Sequence, residues 1–371
     1  MAGHDIVVIG ASAGGIQALQ ELFAGLSADV PASFFVVVHT APTSAGLLPQ
    51  ILGRRAPFVT EYAANDTPIR RRRIYVAPAD HHLILKPHRM CVVRGPKENG
   101  FRPAVDPLFR TAANTYGPRV IGVILSGGLD DGTLGLMQIK QQGGLAVVQD
   151  PEEAPFPSMP ISAVQHVPVD QVVTMAAMPG ALERLVHTPL PQGVEHMPSR
   201  TEPDIAELGS QALATGELPG PPSAFTCPEC GGALWEFNDG KLLRFRCHTG
   251  HGYTAESLGA EQFNGLEAAL WTALRALEEN AALRRRMANR ASQGKYRRIA
   301  DTYVQQARDA EARADVIRKV LVSAPAEAKK MKGTRPAAGV LARAEKKRSK
   351  NGKGAAAAAR NAVAHRSRLL S

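Results

Sequence analysis

The chain has 371 residues, 44% of them hydrophobic and 21% charged, so it is long enough for more than one domain and apolar enough to bury a sizeable core. That composition excludes a wholly disordered protein, and four cysteines are too few for a disulfide scaffold. The net charge of +10 is local: residues 329–371 hold thirteen Lys/Arg and one Glu, which leaves the rest of the chain slightly acidic.

No stretch approaches the roughly 20 apolar residues of a membrane span, and the N-terminus enters a strand without an export signal. Three of the four cysteines fall within a twenty-one-residue segment, which points to a metal site in a reducing compartment. A cytoplasmic protein is therefore expected.

From residue 5 to about 187, short Val/Ile-rich runs alternate with helical stretches. Strands are predicted at Asp5–Ile9, Ser33–His39, Arg73–Ala77, Val120–Ser126, Leu145–Gln149 and Gln171–Thr174. Helices are predicted at Gly15–Leu26, Leu47–Arg55, Pro107–Tyr116, Gly132–Gln142 and Ile161–Gln165. Continuous apolar runs mark strands buried on both faces. Their alternation with helices, through right-handed crossovers, gives a doubly wound, mostly parallel α/β sheet over residues 1–187. An antiparallel hairpin, His82–Lys86 with Arg89–Arg94 around Pro87, interrupts it.

Residues 188–224 carry seven prolines and read as a linker. A small cysteine module follows at 225–258. A helical hairpin is predicted at 259–323, breaking at Ser292-Gln293-Gly294. Its apolar stripe runs through Phe263, Leu266, Leu270, Leu274 and Leu277, then Ile299, Tyr303, Ala307, Ala310, Ala314, Ile317 and Leu321. The tail, 324–371, has no aromatic residue and is expected to be disordered.

Gly10-Ala11-Ser12-Ala13-Gly14-Gly15 lies where the first strand hands over to the first helix. A dinucleotide fingerprint would need glycine where Ser12 stands and an acidic residue closing the next strand. Gly10-x-Ser12-x-Gly14 instead fits the tight strand-to-helix turn that exposes a nucleophilic hydroxyl. The alternative role for Ser12 is a helix N-cap. The second strand runs into His39, at the end of the sheet where ligands bind, within reach of Ser12 as a general base. A satisfied, partly buried histidine is the alternative. The strand Val120–Leu125 ends in Ser126-Gly127-Gly128-Leu129-Asp130-Asp131-Gly132, where a carboxylate could orient the imidazole or else cap the following helix. Each residue alone favours the plainer role, but three polar residues after three apolar strands point together to a site. The glycine-rich turns would also offer backbone N–H groups to an oxyanion.

Residues Ile9–Gly15, Val36–His39, Leu125–Gly127, Asp131-Gly132, Ile74–Pro78, Arg102–Phe109, Gln149–Pro151 and Met159-Pro160 together resemble the catalytic domain of the CheB-type protein-glutamate methylesterases of bacterial chemotaxis. The resemblance covers about residues 5–187. It implies Ser12 as nucleophile, His39 as general acid–base, Asp131 rather than Asp130 as orienting acid, and the backbone of Ala13 and Gly128 as oxyanion donors. The reaction would demethylate glutamyl methyl esters on chemoreceptor-like proteins to glutamate and methanol, with glutamine deamidation alongside and a glutamate methyltransferase as a further partner. Two departures stand out. The catalytic strand begins at Asp5 without the receiver domain usual in the chemotaxis enzymes, so no phospho-regulation in cis is expected. Gly128 stands where those enzymes commonly have methionine. Asp106-Pro107 also matches a family element, and Asp as N-cap with Pro at the first helical position explains it. His81 and His82 are expected at the surface, and Arg70–Arg73 as a solvated turn.

Cys227-Pro228-Glu229-Cys230 is followed by Cys247-His248-Thr249-Gly250-His251. A Cys-x2-Cys knuckle bends two thiolates onto one ion, and a second turn must supply two more ligands. Cys247 is one, and His251 is preferred over His248 because the turn through Gly250 gives it room. Four protein ligands mean a structural Zn2+ in a zinc-ribbon-like module, with Trp235, Phe237 and Phe245 as its core. The receiver-less relatives end in a similar module. A metal-free turn module is the alternative. Two other functions compete: a non-enzymatic adaptor of a signalling complex, and a nucleic-acid binder. The second is disfavoured because Lys241, Arg244 and Arg246 are too few for a phosphate footprint, and catalysis itself needs no cofactor.

Overall fold

The computed structural model describes residues 3–44, 46–190, 221–238, 242–294 and 296–322. Most of the expected linker, Lys241 and the whole of the expected tail from 324 lie outside the described residues.

The first half carries β1 (Ile6–Ala11), β2 (Ser33–Val38), β3 (Val59–Tyr62), β4 (Thr67–Pro68), β5 (Arg73–Val76), β6 (His82–Lys86), β7 (Arg89–Val93), β8 (Val120–Ile124), β9 (Leu145–Gln149) and β10 (Gln171–Val173). Seven of them form one parallel sheet in the order β10-β9-β8-β1-β2-β5-β3. Every residue of β1 and β2 is buried. Side-chain alternation splits them between two cores. Val7, Ile9, Phe34 and Val36 pack against α1 (Gly15–Ala24) and α2 (Leu48–Gly53), while Ile6, Val8, Phe35 and Val37 pack against α3 (Val105–Tyr116), α4 (Thr133–Gln141) and α5 (Ser158–His166). A sixth helix, α6 (Met178–His187), joins the first face.

The chain lays β2 and then β5 to one side of β1 and returns to place β8 and β9 on the other. Such a reversal opens a crevice at the carboxyl ends of the strands.

Several sequence expectations are corrected. The edge strand β3 and helix α6 were not foreseen: Val59 is solvent-facing, and Pro179-Gly180 resembles a loop although proline is tolerated in a first helical turn. His82 is fully buried, with Nε2 donating to Pro96 O at 2.8 Å and Nδ1 accepting from Ala104 N at 3.3 Å. Burial lowers its pKa, and both ring nitrogens are satisfied in the neutral form. The arginine run, in contrast, is exposed at Arg70–Arg72 as expected of a solvated turn, with Arg71 paired to Asp5 and Arg73, on β5, to Glu61, each at 2.8 Å.

The second half opens with an antiparallel sheet of β11 (Pro222–Thr226), β12 (Ala233–Asn238), β13 (Leu243–Cys247) and β14 (Gly252–Thr254). Its core is Leu234, Phe245, Tyr253 and Leu258 with Cys227 and Cys247. Trp235 and Phe237 are only partly buried, because strand alternation puts them on the face opposite Leu234. Thr254 runs from β14 straight into α7 (Ala255–Gln293) as its N-cap, forming a reciprocal capping box with Ser257.

Helix α7 packs against α8 (Arg297–Val322) along a seam of Leu274, Ala281 and Ala288 facing Ala300, Ala307 and Ala314, all spaced by seven. Arg285 binds Glu311 at 2.6 Å and Arg318 binds Glu278 at 2.5 Å, so the helices are antiparallel. Phe263 and Leu266 were expected on the buried stripe but are exposed, since α8 ends about one turn past the level of Glu278.

Candidate active site

Ser12 sits just past β1. The helix that follows takes Gly14 as N-cap with no side-chain hydrogen bond, so Ser12 does not cap it. Ser12 Oγ instead lies 3.2 Å from His39 Nδ1. Its peptide N–H donates to Ser126 O at 3.0 Å, tying the β1 turn to the β8 turn. Gly127 makes that approach possible: a Cβ there would run into Met159 Sδ and come within 2.9 Å of Ser12 Cβ.

His39 directly follows β2, and its N–H donates to Ala11 O at 3.2 Å. The imidazole is 3% exposed and stacks on Phe101 with ring centroids 3.7 Å apart. Nε2 lies 2.7 Å from Asp131 Oδ2. An ionised carboxylate only accepts, so Nε2 carries the ring proton and Nδ1 is left to accept from the Ser12 hydroxyl.

Asp131 is fully buried at the N-terminus of α3. Besides His39 it accepts from Asn99 Nδ2 at 2.9 Å, Val105 N at 2.7 Å and Asp106 N at 3.2 Å. Burial by itself would raise its pKa, but the bonds from His39, Val105 and Asn99 and the attraction of His39 outweigh burial and hold it below the usual range. The positive end of α3 acts in the same direction.

Asp106 is not the N-cap expected from its proline. Ala104 holds that position, and Asp106 Oδ1 accepts from Gly135 N of α4 at 2.7 Å. The two helices thus exchange carboxylates, Asp131 serving α3 and Asp106 serving α4. Burial, then the charge of Asp131, pushes Asp106 well above its ordinary pKa. Asp130 points elsewhere, accepting from Thr254 Oγ1 at 2.9 Å. Burial and then Glu256 raise it to about 7.

The N–H groups of Ala13 and Gly128 enter no backbone hydrogen bond among the described residues. Ala13 is exposed, and a Cβ on Gly128 would meet nothing within 4 Å. Leu129 beside it is left-handed, with φ 61°, an uncommon conformation for a leucine.

Sequence reasoning passed over Asn99 and Phe101. They lie on a two-residue turn in which Glu98 and Phe101 exchange backbone hydrogen bonds, with Asn99 at φ 53° and Gly100 at φ 80°. Asn-Gly is the signature of that turn, so the turn could have been read, although nothing local says what Asn99 reaches.

A second cluster lies in the β11–β14 sheet. The donor atoms of Cys227, Cys230, Cys247 and His251 all lie within 4.8 Å of one another and could bind a metal. Cys230 Sγ is 3.6 Å from Cys247 Sγ, and His251 Nδ1 is 3.7 Å from Cys227 Sγ and 3.5 Å from Cys247 Sγ. Tetrahedral zinc with ordinary bond lengths has edges of about 3.5–3.8 Å, so the donor set fits such an ion. His248 is not in the cluster and packs against Trp235. Burial would raise Cys230, but the Gly232 N–H and then Thr249 lower it to about 6, while burial pushes Cys227 up.

The CheB methylesterase family model matches residues 7–182. A Leptospira interrogans protein, provisionally named protein-glutamate methylesterase/protein-glutamine glutaminase, is 36% identical over 190 residues, covering 51% of this chain and 98% of that protein. A protein-glutamate methylesterase/protein-glutamine glutaminase of Anaeromyxobacter dehalogenans is 37% identical, but this chain spans only 53% of its length. The crystal structure of the Thermotoga maritima CheB methylesterase catalytic domain is 32% identical, with 50% of this chain and all of that one covered at a TM-score of 0.48. Since the Leptospira relative is matched over nearly its whole length and the family model spans β1 to α6, the chain belongs to the CheB methylesterase family.

Proposed function

We propose that this chain is a serine hydrolase that demethylates glutamyl methyl esters on chemoreceptor-like proteins, working from residues 1–187 in the cytoplasm. The observation that carries the proposal is the unbroken hydrogen-bond line from Ser12 Oγ through His39 to Asp131 at the carboxyl ends of adjacent parallel strands. Ser12 Oγ attacks the ester carbonyl carbon while His39 Nδ1 takes its proton. Asp131 holds the ring in the required tautomer and stabilises its charged form. The negative oxygen of the tetrahedral intermediate is received by the N–H groups of Ala13 and Gly128. Collapse expels methoxide, which takes the proton from His39 and leaves as methanol. Water, deprotonated by His39, then attacks the acyl-Ser12 ester, and collapse returns the proton to Ser12 Oγ and releases glutamate. A glutaminyl side chain would follow the same path with ammonia leaving.

Cys227, Cys230, Cys247 and His251 hold a structural Zn2+ in this proposal, in a zinc-ribbon-like module over 225–258 between the linker 188–224 and a helical hairpin, 259–323, that suits a protein partner such as a glutamate methyltransferase. When bound, the ion would fix the fold of the module and take no part in ester hydrolysis. No described helix is long and apolar enough to cross a membrane.

The deciding experiment is methanol release from membranes bearing receptors labelled on their glutamyl methyl esters, with the intact protein and its Ser12→Ala variant. Release abolished by the substitution supports the esterase. A folded wild type that releases nothing from receptors of its own organism would leave an adaptor as the better account.

A further inference from the structure

The side-chain amide of Asn99 lies at the junction of the two halves. Its Nδ2 has two hydrogens, and both are used: one donates to Asp131 Oδ1 and one to Asp106 Oδ2, each at 2.9 Å. Its Oδ1 has two lone pairs and accepts from the Thr254 peptide N–H and the Ser257 hydroxyl, each at 3.1 Å. All four valences of the amide are therefore satisfied, in a site where Asn99 is 4% and Ser257 0% exposed. The donors come from the capping box of α7 and the acceptors are the two carboxyls at the ends of α3 and α4.

The turn that carries Asn99 is held from the same side. Asn99 N–H donates to Gly252 O at 2.8 Å, and Gly252 N–H donates to Lys97 O at 3.2 Å. The adjacent Glu98 is buried between Arg110 of α3, at 2.8 Å, and Arg246 of β13, at 3.4 Å. Phe101, closing the turn, supplies the face on which the His39 ring is stacked.

An amide is nearly symmetric in shape, so packing alone does not decide which end faces the carboxyls. The Thr254 peptide N–H, which can only donate, and the ionised Asp131, which can only accept, decide it. Turned over, Asn99 would present its oxygen to the ionised Asp131 and its NH2 to the Thr254 peptide N–H, losing both of those bonds in a buried place.

We infer that Asn99 is a positioning residue for Asp131, and that Thr254 and Ser257 of the C-terminal half hold its amide in the orientation the active site needs. The C-terminal half thereby supports the site carried by residues 1–187, in addition to offering its hairpin to a partner. The inference rests on the role of Asp131 proposed above.

The test uses the full chain as wild type, Asn99→Ala, Ser257→Ala and the double variant. Three quantities are read: kcat and KM for ester hydrolysis on methylated receptors, the rate at which a fluorophosphonate labels Ser12, and the melting temperature. A displaced acid costs up to about a hundredfold in rate. We expect each single variant to lose roughly ten- to a hundredfold in kcat and in labelling rate, with KM within about twofold. The double variant should be no slower than Asn99→Ala, since both changes break one chain of contacts. A purely structural role would lower the melting temperature and leave kcat intact below it. That result, or losses that simply multiply in the double variant, overturns the inference while the esterase stands. A wild type that neither hydrolyses ester nor labels at Ser12 overturns the active-site assignment and this inference with it.

Discussion

Three aspartates crowd the same few turns, and their donors separate them. Asp131 accepts four hydrogen bonds and is held ionised; Asp130 has the Thr254 hydroxyl and a neighbouring Glu256. Asp131→Asn would keep the shape but offer His39 the wrong group, and kcat should fall by about 10⁴ with the fold retained, as read from initial rates and circular dichroism. For Asp130 the folded pKa of about 7 lies above its ordinary value of 3.8, so the folded state binds the proton more tightly. Stability from this group is fully present below about pH 4 and declines as pH rises towards about 7. Asp130→Asn keeps an acceptor for Thr254 and removes the titration, so its melting temperature should gain on the wild type between those values, by an energy on the order of 4 kcal/mol at most. Parallel melting curves across that range would show that Asp130 does not titrate so. Adjacent glycines differ as sharply. Gly127→Ala should push Ser12 away and cost at least about tenfold in kcat, whereas Gly128→Ala, with open space at its Cβ, should leave it nearly unchanged. The placement of Ser12 and His39 together at one end of the sheet was legible because each directly follows a strong apolar strand. Which of Asp130 and Asp131 faces His39 was not legible locally, since it is fixed by residues 99, 105 and 106.

The elements repeat that division. Strands β1, β2, β5, β8 and β9 could be read from their β-branched runs, because a strand buried on both faces has only one way to look in sequence. The edge strand β3 and the proline-started helix α6 lack such a run, and they were missed. In the α7–α8 hairpin the apolar period was legible but the seam was not. Large residues such as Phe263, Leu266 and Ile299 are exposed, and alanines spaced by seven are buried. Small residues let two helices approach closely, so the seam has no room for a longer side chain. Ala307→Leu, at a fully buried seam position, should cost about 1–3 kcal/mol and raise amide exchange throughout α8. The Arg285–Glu311 pair on the surface of the same hairpin should contribute little, and Glu311→Gln should leave exchange in α8 unchanged.

At the scale of the molecule, the two halves are joined at the turn 97–101, which pairs with β14 and touches both His39 and Asp131. Glu98 is the electrostatic part of the joint. Burial alone would raise its pKa, but Arg110 and Arg246 outweigh burial and hold it far below the usual carboxylate range. One positive partner comes from each half, so separating them would leave a buried carboxylate with only Arg110. The four residues that could bind a metal lie on or beside the strands that supply the other partner: Cys247 ends β13, next to Arg246, and His251 precedes β14. Loss of the zinc proposed for this cluster should unfold so small a sheet, with a core this limited. We therefore expect Cys247→Ser, or treatment with a chelator, to remove one zinc per chain and lower the melting temperature. Amide protection should fall at 97–101 as well as across β11–β14, while β1 and β8 keep theirs. Faster exchange confined to β11–β14 would mean that the module folds and unfolds apart from the turn that touches His39 and Asp131. Faster exchange at Asn99 and Phe101 would mean that an ion bound in the β11–β14 sheet helps set the order of the residues that hold His39 and Asp131.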